Sequence, residues 1–177
     1  MEIRTLSREE LGLIWTIDRA ELVERVYYHE DGQLVLRAER YDMSDWPPSE
    51  REMQSRLLED CFDRGGTFYG AFESDRLLGV AVLESRFIGR HKDQLQLKFL
   101  HVTNGHRNAG VGSVLFHACV ERARELGARC LYISATPSEN TVGFYLRRAC
   151  RVTEEVDQKL FELEPEDIHL EFEIPPR

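Results

Sequence analysis

A chain of 177 residues with 42% hydrophobic side chains holds enough apolar material for one substantial core, which excludes disorder as its default state. Its net charge of −9 argues against a nonspecific nucleic-acid binder and leaves either a cationic partner or a solubility trait. No apolar run reaches bilayer length, Met1-Glu2-Ile3-Arg4 does not open like a secretory signal, and the four cysteines Cys61, Cys119, Cys130 and Cys150 form no C-x-x-C pair, so the expectation is a cytoplasmic protein with reduced thiols and neither metal nor membrane partner.

In chain order, Glu2 to Thr5 reads as a short strand. Ser7-Arg8-Glu9-Glu10 is a capping box opening a helix with Leu11, Ile14, Trp15 and Leu22 on one side. Val26 to Arg37 reads as a hairpin turning at Asp31-Gly32. After Trp46-Pro47-Pro48, Ser49-Glu50-Arg51-Glu52 predicts the cap of a second helix carrying Met53, Leu57 and Cys61 and stopping at Gly65-Gly66. Thr67 to Phe72 and Leu77 to Glu84 read as a second hairpin, and Gln94 to Thr103 as a strand. Val111, Val114, Leu115, Ala118, Cys119 and Leu126 recur at helical spacing up to Gly127. Arg129 to Ser134 is strand-like, with Cys130 in it. Thr136-Pro137-Ser138-Glu139 predicts the start of a helix over Asn140 to Ala149. Val152 to Leu163 and Ile168 to Ile174 read as a closing strand pair around Glu164-Pro165-Glu166-Asp167. No repeat or linker divides the chain, so residues 1–177 are expected to form one α+β domain around a single mixed, mostly antiparallel central sheet flanked by helices.

The most informative stretch is Arg107-Asn108-Ala109-Gly110-Val111-Gly112, between a strand and an amphipathic helix. Unpartnered N–H groups at a helix start, reached over small residues, make an anion cradle. It is neither a Walker loop, which needs Gly-Lys-Ser/Thr, nor a dinucleotide G-x-G-x-x-G turn. This R-x-x-G-x-G form resembles the acyl-CoA pyrophosphate loop of the GNAT N-acetyltransferase superfamily. Asn140-Thr141-Val142-Gly143-Phe144-Tyr145 resembles the N-x-x-x-x-Y helix of the same superfamily. The two motifs stand in the right order, and the resemblance spans Thr67 to Arg151, roughly half the chain.

The resemblance implies a sheet whose two central strands splay apart, with acetyl-CoA as cosubstrate. It assigns the pyrophosphate to the amides from Asn108 through Ala109, Gly110, Val111 and Gly112 to Ser113, with Arg107 adding charge or shaping the turn. It assigns the thioester carbonyl to backbone N–H groups near Leu100 to Val102, the pantetheine arm to Asn140 and the leaving thiolate's proton to Tyr145. The fourth-strand Glu that some members use as a base falls at Gln96, which cannot act as one. Glu84 and His101 are the substitutes, with proton loss through water a further route. Arg147-Arg148-Ala149-Cys150-Arg151 stands where members often have Gly-Phe.

The resemblance implies that the N-terminal segment before the third strand covers the acceptor, and there Tyr27, Tyr28 and Tyr41 with Glu30, Asp31, Asp42 and Asp45 suggest a pocket for a cation. The expected activity is therefore direct acetyl transfer to a small cationic amine in a ternary complex, with no cysteine acyl-enzyme. Two alternatives stand beside it: a protein-lysine or N-terminal acetyltransferase, and a non-catalytic acyl-CoA-binding regulatory or interaction module. Oligomeric state is left open, a homodimer being one of the states allowed.

Overall fold

The computed structural model describes residues 1–176. Seven strands form one sheet in the order β1 (Glu2–Thr5), β4 (Thr67–Glu73), β5 (Arg76–Ile88), β6 (Gln94–Val102), β7 (Cys130–Ala135), β9 (Ile168–Glu173) and β8 (Arg151–Val152). Every pairing is antiparallel except that of β6 with β7. Strands β2 (Glu21–Glu30) and β3 (Gln33–Met43) form a separate two-stranded sheet. The helices are α1 (Pro48–Asp63), α2 (Val111–Glu125), α3 (Glu139–Leu146) and α4 (Gln158–Leu163), with 3-10 turns at Arg8–Thr16 and Asn104–His106. This is the expected α+β fold.

Apolar side chains of the two sheet faces feed two cores. One packs Leu95, Leu97, Leu131 and Ile133 against Val111, Leu115, Phe116, Cys119 and Val120 of α2 and against Val142 and Tyr145 of α3. The other packs Phe68, Val80, Val82 and Phe99 against Leu11, Ile14, Leu58 and Cys61. Helices therefore cover both faces, and the ends of β6 and β7 are reached from either side.

Local chemistry sets several boundaries differently from expectation. The capping box of Ser7 and Glu10 forms, but the helix behind it is 3-10, because Gly12 and the β-branched Ile14 and Thr16 weaken an α-helix. Leu22 lies on β2 and is exposed. The first hairpin is longer than predicted, running from Glu21 to Met43. Its turn is as expected: Asp31 and Gly32 both have positive φ, at 49° and 77°, as a type I′ turn requires. Helix α1 starts on Pro48 behind Pro47, without the side-chain cap predicted at Ser49. On α2, Val114 and Leu126 are exposed, whereas Phe116, Val120 and Ala123 complete the buried stripe. Ser138, not Thr136, caps α3 by accepting from Thr141 N–H at 3.3 Å. The segment Val152 to Leu163 is mostly not strand: only Arg151–Val152 pairs with β9. Asp157 accepts from the N–H groups of Lys159 and Leu160, both at 3.1 Å, and so starts α4.

Glu84, within β5, is 6% exposed. Burial alone would raise its pKa. Arg64 at 2.7 Å and the Ser85 N–H at 2.9 Å outweigh that effect and hold the carboxyl below its ordinary value. Removing the cation from such a pair strands the buried charge. Arg64→Leu should cost up to about 3–5 kcal/mol of unfolding free energy. Glu84→Gln, which removes the charge itself, should cost less, and urea midpoints of the two variants make the comparison.

Candidate active site

After Thr103 the chain makes a 3-10 turn and reaches the loop ahead of α2. Asn108 (φ 63°) and Gly110 (φ 84°) are left-handed there. Gly110 occupies the N-cap of α2, and no side chain caps the first turn. A Cβ at Gly110 would meet nothing within 4 Å, so glycine is needed for its backbone angle and for an open approach. Gly112 has a different reason: a Cβ there would lie 3.1 Å from the Phe144 ring. The second glycine of the motif thus lets α3 pack against α2.

Arg107 shapes this loop. Its guanidinium donates to the carbonyls of Val102 at 3.3 Å and Arg19 at 2.9 Å and lies 3.6 Å from Glu21. Ser113 accepts a hydrogen bond from Arg148, whose guanidinium lies 3.5 Å from the centre of the Phe144 ring. Arg148 therefore joins the end of α3 to the first turn of α2.

Strands β6 and β7 pair only from Gln94↔Cys130 to Gln96↔Tyr132 and then part. Beyond Gln96, the β6 backbone lacks a strand partner on that side among the described residues, through Leu100 and Val102. A cleft of about 1130 Å³ runs through the opening. Of the sequence-predicted site residues, Leu100, His101, Val102, Arg107, Asn108, Gly112, Asn140 and Tyr145 line it. Ala109, Gly110, Val111 and Ser113 belong to the adjoining loop and helix start, and Glu84 lies away from it beside Arg64.

Tyr145 is 5% exposed and packs beside Phe116 and Phe144. Its hydroxyl has no hydrogen-bond partner among the described residues and is not sealed off from the cleft. Burial, then the neighbouring Cys150 and Cys119, push the phenol far above its ordinary value, so it stays protonated at any working pH. Asn140 donates to Glu21 at 2.6 Å from the second position of α3; Ser138 does the capping.

His101 lies against Trp46 and Phe99, with ring centroids 5.1 Å and 4.3 Å away. Burial, followed by the charges of Arg19 and Arg107, brings it down to about 3. A neutral imidazole with so little affinity for a proton is a weak base. The predicted acidic cluster also faces elsewhere. Glu30 pairs with Arg37, Asp45 accepts from the Trp46 N–H, and neither Asp31 nor Asp42 lines the cleft. Side chains alternate along β3, so Glu39, Tyr41 and Met43 face the cleft while Arg40 and Asp42 face away.

The carboxylates that line the cleft are Glu21, Glu39, Glu50, Glu164, Glu166 and Asp167. Glu39 accepts from Tyr28, and Glu50 is held bidentate by Arg19 at 2.7 and 2.8 Å. The phenol of Tyr41 is raised by burial and then by Glu21, Glu39 and Glu166. Glu164, Glu166 and Asp167 come from a turn that, in sequence, looks like no more than a connection between two strands. Ser134 on β7 donates to Asp167 at 2.8 Å. Only the parting of β6 from β7 gives these residues a cleft to face, and no spacing in the sequence announces it.

The acetyltransferase (GNAT) family profile matches residues 33–150. Comparison with curated proteins returns no match. Among solved structures, a nourseothricin acetyltransferase superposes with a TM-score of 0.71 at 18% identity, over 98% of each chain. A putative streptothricin acetyltransferase from Bacillus anthracis in complex with acetyl coenzyme A gives 0.73 at 16% identity, also over 98% of each. An aminoglycoside 6'-acetyltransferase type Ii gives 0.67 at 13% identity, over 100% of this chain and 99% of that one. The matched loop, the parted strands and the shared fold agree, and the chain belongs to the GNAT acetyltransferase family.

Proposed function

We propose that this chain is an acetyl-CoA-dependent N-acetyltransferase of one domain that transfers acetyl directly to a small cationic amine in a ternary complex. The observation that carries the reading is the run of three features along one cleft: the uncapped start of α2 behind left-handed Asn108 and Gly110, the unpaired edge of β6, and Tyr145. The helix start supplies N–H donors and positive potential to a pyrophosphate. The strand edge supplies an N–H to the thioester oxygen as it gains charge. Tyr145 supplies a hydrogen-bond donor to the departing sulfur.

The opposite wall points to the acceptor. Tyr27 and Tyr41 line it as aromatic groups, with Glu39 and Glu166 beside Tyr41, whereas Trp46 is stacked on Phe99 and covered by the Arg19 guanidinium, and Tyr28 lies under Arg37. Aromatic faces and carboxylates together attract an ammonium. The structural neighbours include a nourseothricin, a putative streptothricin and an aminoglycoside acetyltransferase. Their activities support an amine acceptor here. The β2–β3 hairpin lies against the start of α3, with Tyr27 N–H donating to Pro137 O at 2.8 Å and Arg25 paired to Glu139 at 2.7 Å. That wall narrows the opening and favours a small acceptor over a peptide.

Acetyl-CoA at a hundredfold excess over its Kd should stabilise the fold by about 2.7 kcal/mol, read as a rise in Tm, and Gly110→Trp should abolish the rise. An absent rise for the parent protein at millimolar acetyl-CoA would defeat the reading. Thiol release against a panel of amines then tests transfer; cofactor binding without release would favour a non-catalytic module. Tyr145→Phe should lower kcat ~10- to 100-fold with little change in acetyl-CoA affinity. Glu39→Gln or Glu166→Gln should raise the acceptor KM, more at low than at high salt, whereas Asp31→Asn and Asp42→Asn should leave it alone.

A further inference from the structure

Transfer to an ammonium needs a base, and Gln96, Glu84 and His101 do not supply a good one. Gln96 has no basic atom, Glu84 is locked to Arg64 away from the cleft, and His101 is held neutral. We propose that Asp167 is the general base: its carboxylate, fixed by Ser134 beside the opening between β6 and β7, takes the proton from the acceptor ammonium. The assignment rests on the N-acetyltransferase reading and adds the proton acceptor that it lacks.

Three observations support it. The first is position. Asp167 lines the cleft at the foot of β9, and Ser134 stands two residues beyond Tyr132, the last β7 residue paired to β6. Asp167 also lies close enough to Tyr145 for its charge to help raise that phenol, so base and acid face one gap. The second is freedom from cations. No arginine or lysine pairs with Asp167 among the described residues, whereas Glu21, Glu50 and Glu84 each have an arginine within 4 Å. A carboxylate neutralised by arginine is a poor proton acceptor; one held only by a hydroxyl keeps its basicity.

The third is the electrostatic setting. Burial, opposed by the Ser134 hydrogen bond and assisted by the charges of Glu164 and Glu166, pushes Asp167 up to about 6. Those two carboxylates from its own turn, Tyr145 from α3 and Ser134 from β7 are the polar groups that act on it. A base near working pH combines an ionised fraction with a useful affinity for the proton.

Asp167 takes one proton from R–NH3+, giving R–NH2 and a carboxylic acid that later loses the proton to solvent. The amine nitrogen attacks the thioester carbon; a C–N bond forms and the C–S bond breaks. The leaving sulfur takes the Tyr145 proton, and the phenolate recovers the second N–H proton from the new amide nitrogen. The products are the N-acetyl amine, CoA thiol and one released proton.

The test is the pH profile of kcat/KM with a primary amine, set beside a hydrazide whose nitrogen is already neutral at pH 7. The parent enzyme should lose activity below about pH 6, because the base must be ionised. Asp167→Asn should lower kcat/KM for the amine about 100-fold or more at pH 7 and remove that acid limb, yet cost the hydrazide little. Asp167→Glu should restore part of the amine rate. Ser134→Ala removes a bond to the charged form, so the limb should move to higher pH.

An independent readout guards against misfolding. Because folding raises the Asp167 pKa, its stabilising contribution is present at low pH and fades as pH rises through about 6. Asp167→Asn should therefore match or exceed the parent Tm at pH 8 and keep the acetyl-CoA shift. An unchanged amine profile in Asp167→Asn, or an equal loss for both nucleophiles, overturns the assignment and leaves the transferase reading standing. A parent enzyme that binds acetyl-CoA but acetylates no amine overturns both.

Discussion

The parting of β6 from β7 after three paired residues is the constraint on which the site depends. A parallel pair normally continues until both strands end, because buried backbone groups need partners. Here β6 continues to Val102 and β7 to Ala135 without each other. Each is held from its outer side, β6 by β5 through Val102 and β7 by β9 through Ala135. The inner edges are thus kept apart by pairing elsewhere. The result is a slot bordered by backbone donors, open to helices on both faces, and suited to a thioester whose carbonyl must meet an N–H.

The two sides of the slot are electrically different. On the α2 side, the helix start carries positive potential. On the hairpin side, the carboxylates are graded by their partners. Glu50 and Glu21 are answered by Arg19 and Arg107, which are themselves tied through the Arg107 bond to the Arg19 carbonyl. Glu39, Glu166 and Asp167 have no arginine among the described residues. Carboxylates bound to arginine build the wall; those without one leave their negative charge facing the cleft. The net charge of −9 could not reveal that division, because pairing decides which charges remain available.

Most of the fold is legible in the sequence. The strand periodicity of Gln94 to Thr103, the turn at Asp31-Gly32 and the helix from Val111 place their elements within a few residues. Legibility fails where a local choice competes with a tertiary one. Val152 to Leu163 alternates enough to suggest a strand, yet β9 already pairs with β7 along its length and β8 takes only two residues. Asp157 then captures the free chain as a helix. The cofactor end of the site is legible because its chemistry is local: loop, helix start and N-x-x-x-x-Y helix are each contiguous. The Asp167 side of the cleft is not, since Ser134 and Asp167 are 33 residues apart and meet only across strands. Acidity near tyrosines in the hairpin is a misleading cue; side-chain alternation along β3 turns Asp42 outward and Glu39 inward.

The hairpin has a further consequence for how the site is held together. Strands β2 and β3 share no ladder with the main sheet. Besides the Glu21–Arg107 pair and the packing of Tyr27 and Leu34 on the core, four attachments gather at the entry to α3: the Val26 bridge to Ser138, Tyr27 N–H to Pro137, Arg25 to Glu139, and Glu21 to Asn140. Helix α3 also carries Tyr145, and Arg148, just past its end, fastens it to α2 through Ser113. The hairpin wall of the cleft, Tyr145 and the start of α2 are thus joined through one short helix, while Asp167 stands across the gap at the foot of β9. Residues along the hairpin face can vary without disturbing that junction, because the bonds at α3 are largely backbone or lie at one end of β2. The wall at Tyr28, Glu39 and Tyr41 and the slot beside Tyr145 are therefore carried by different elements that meet at α3.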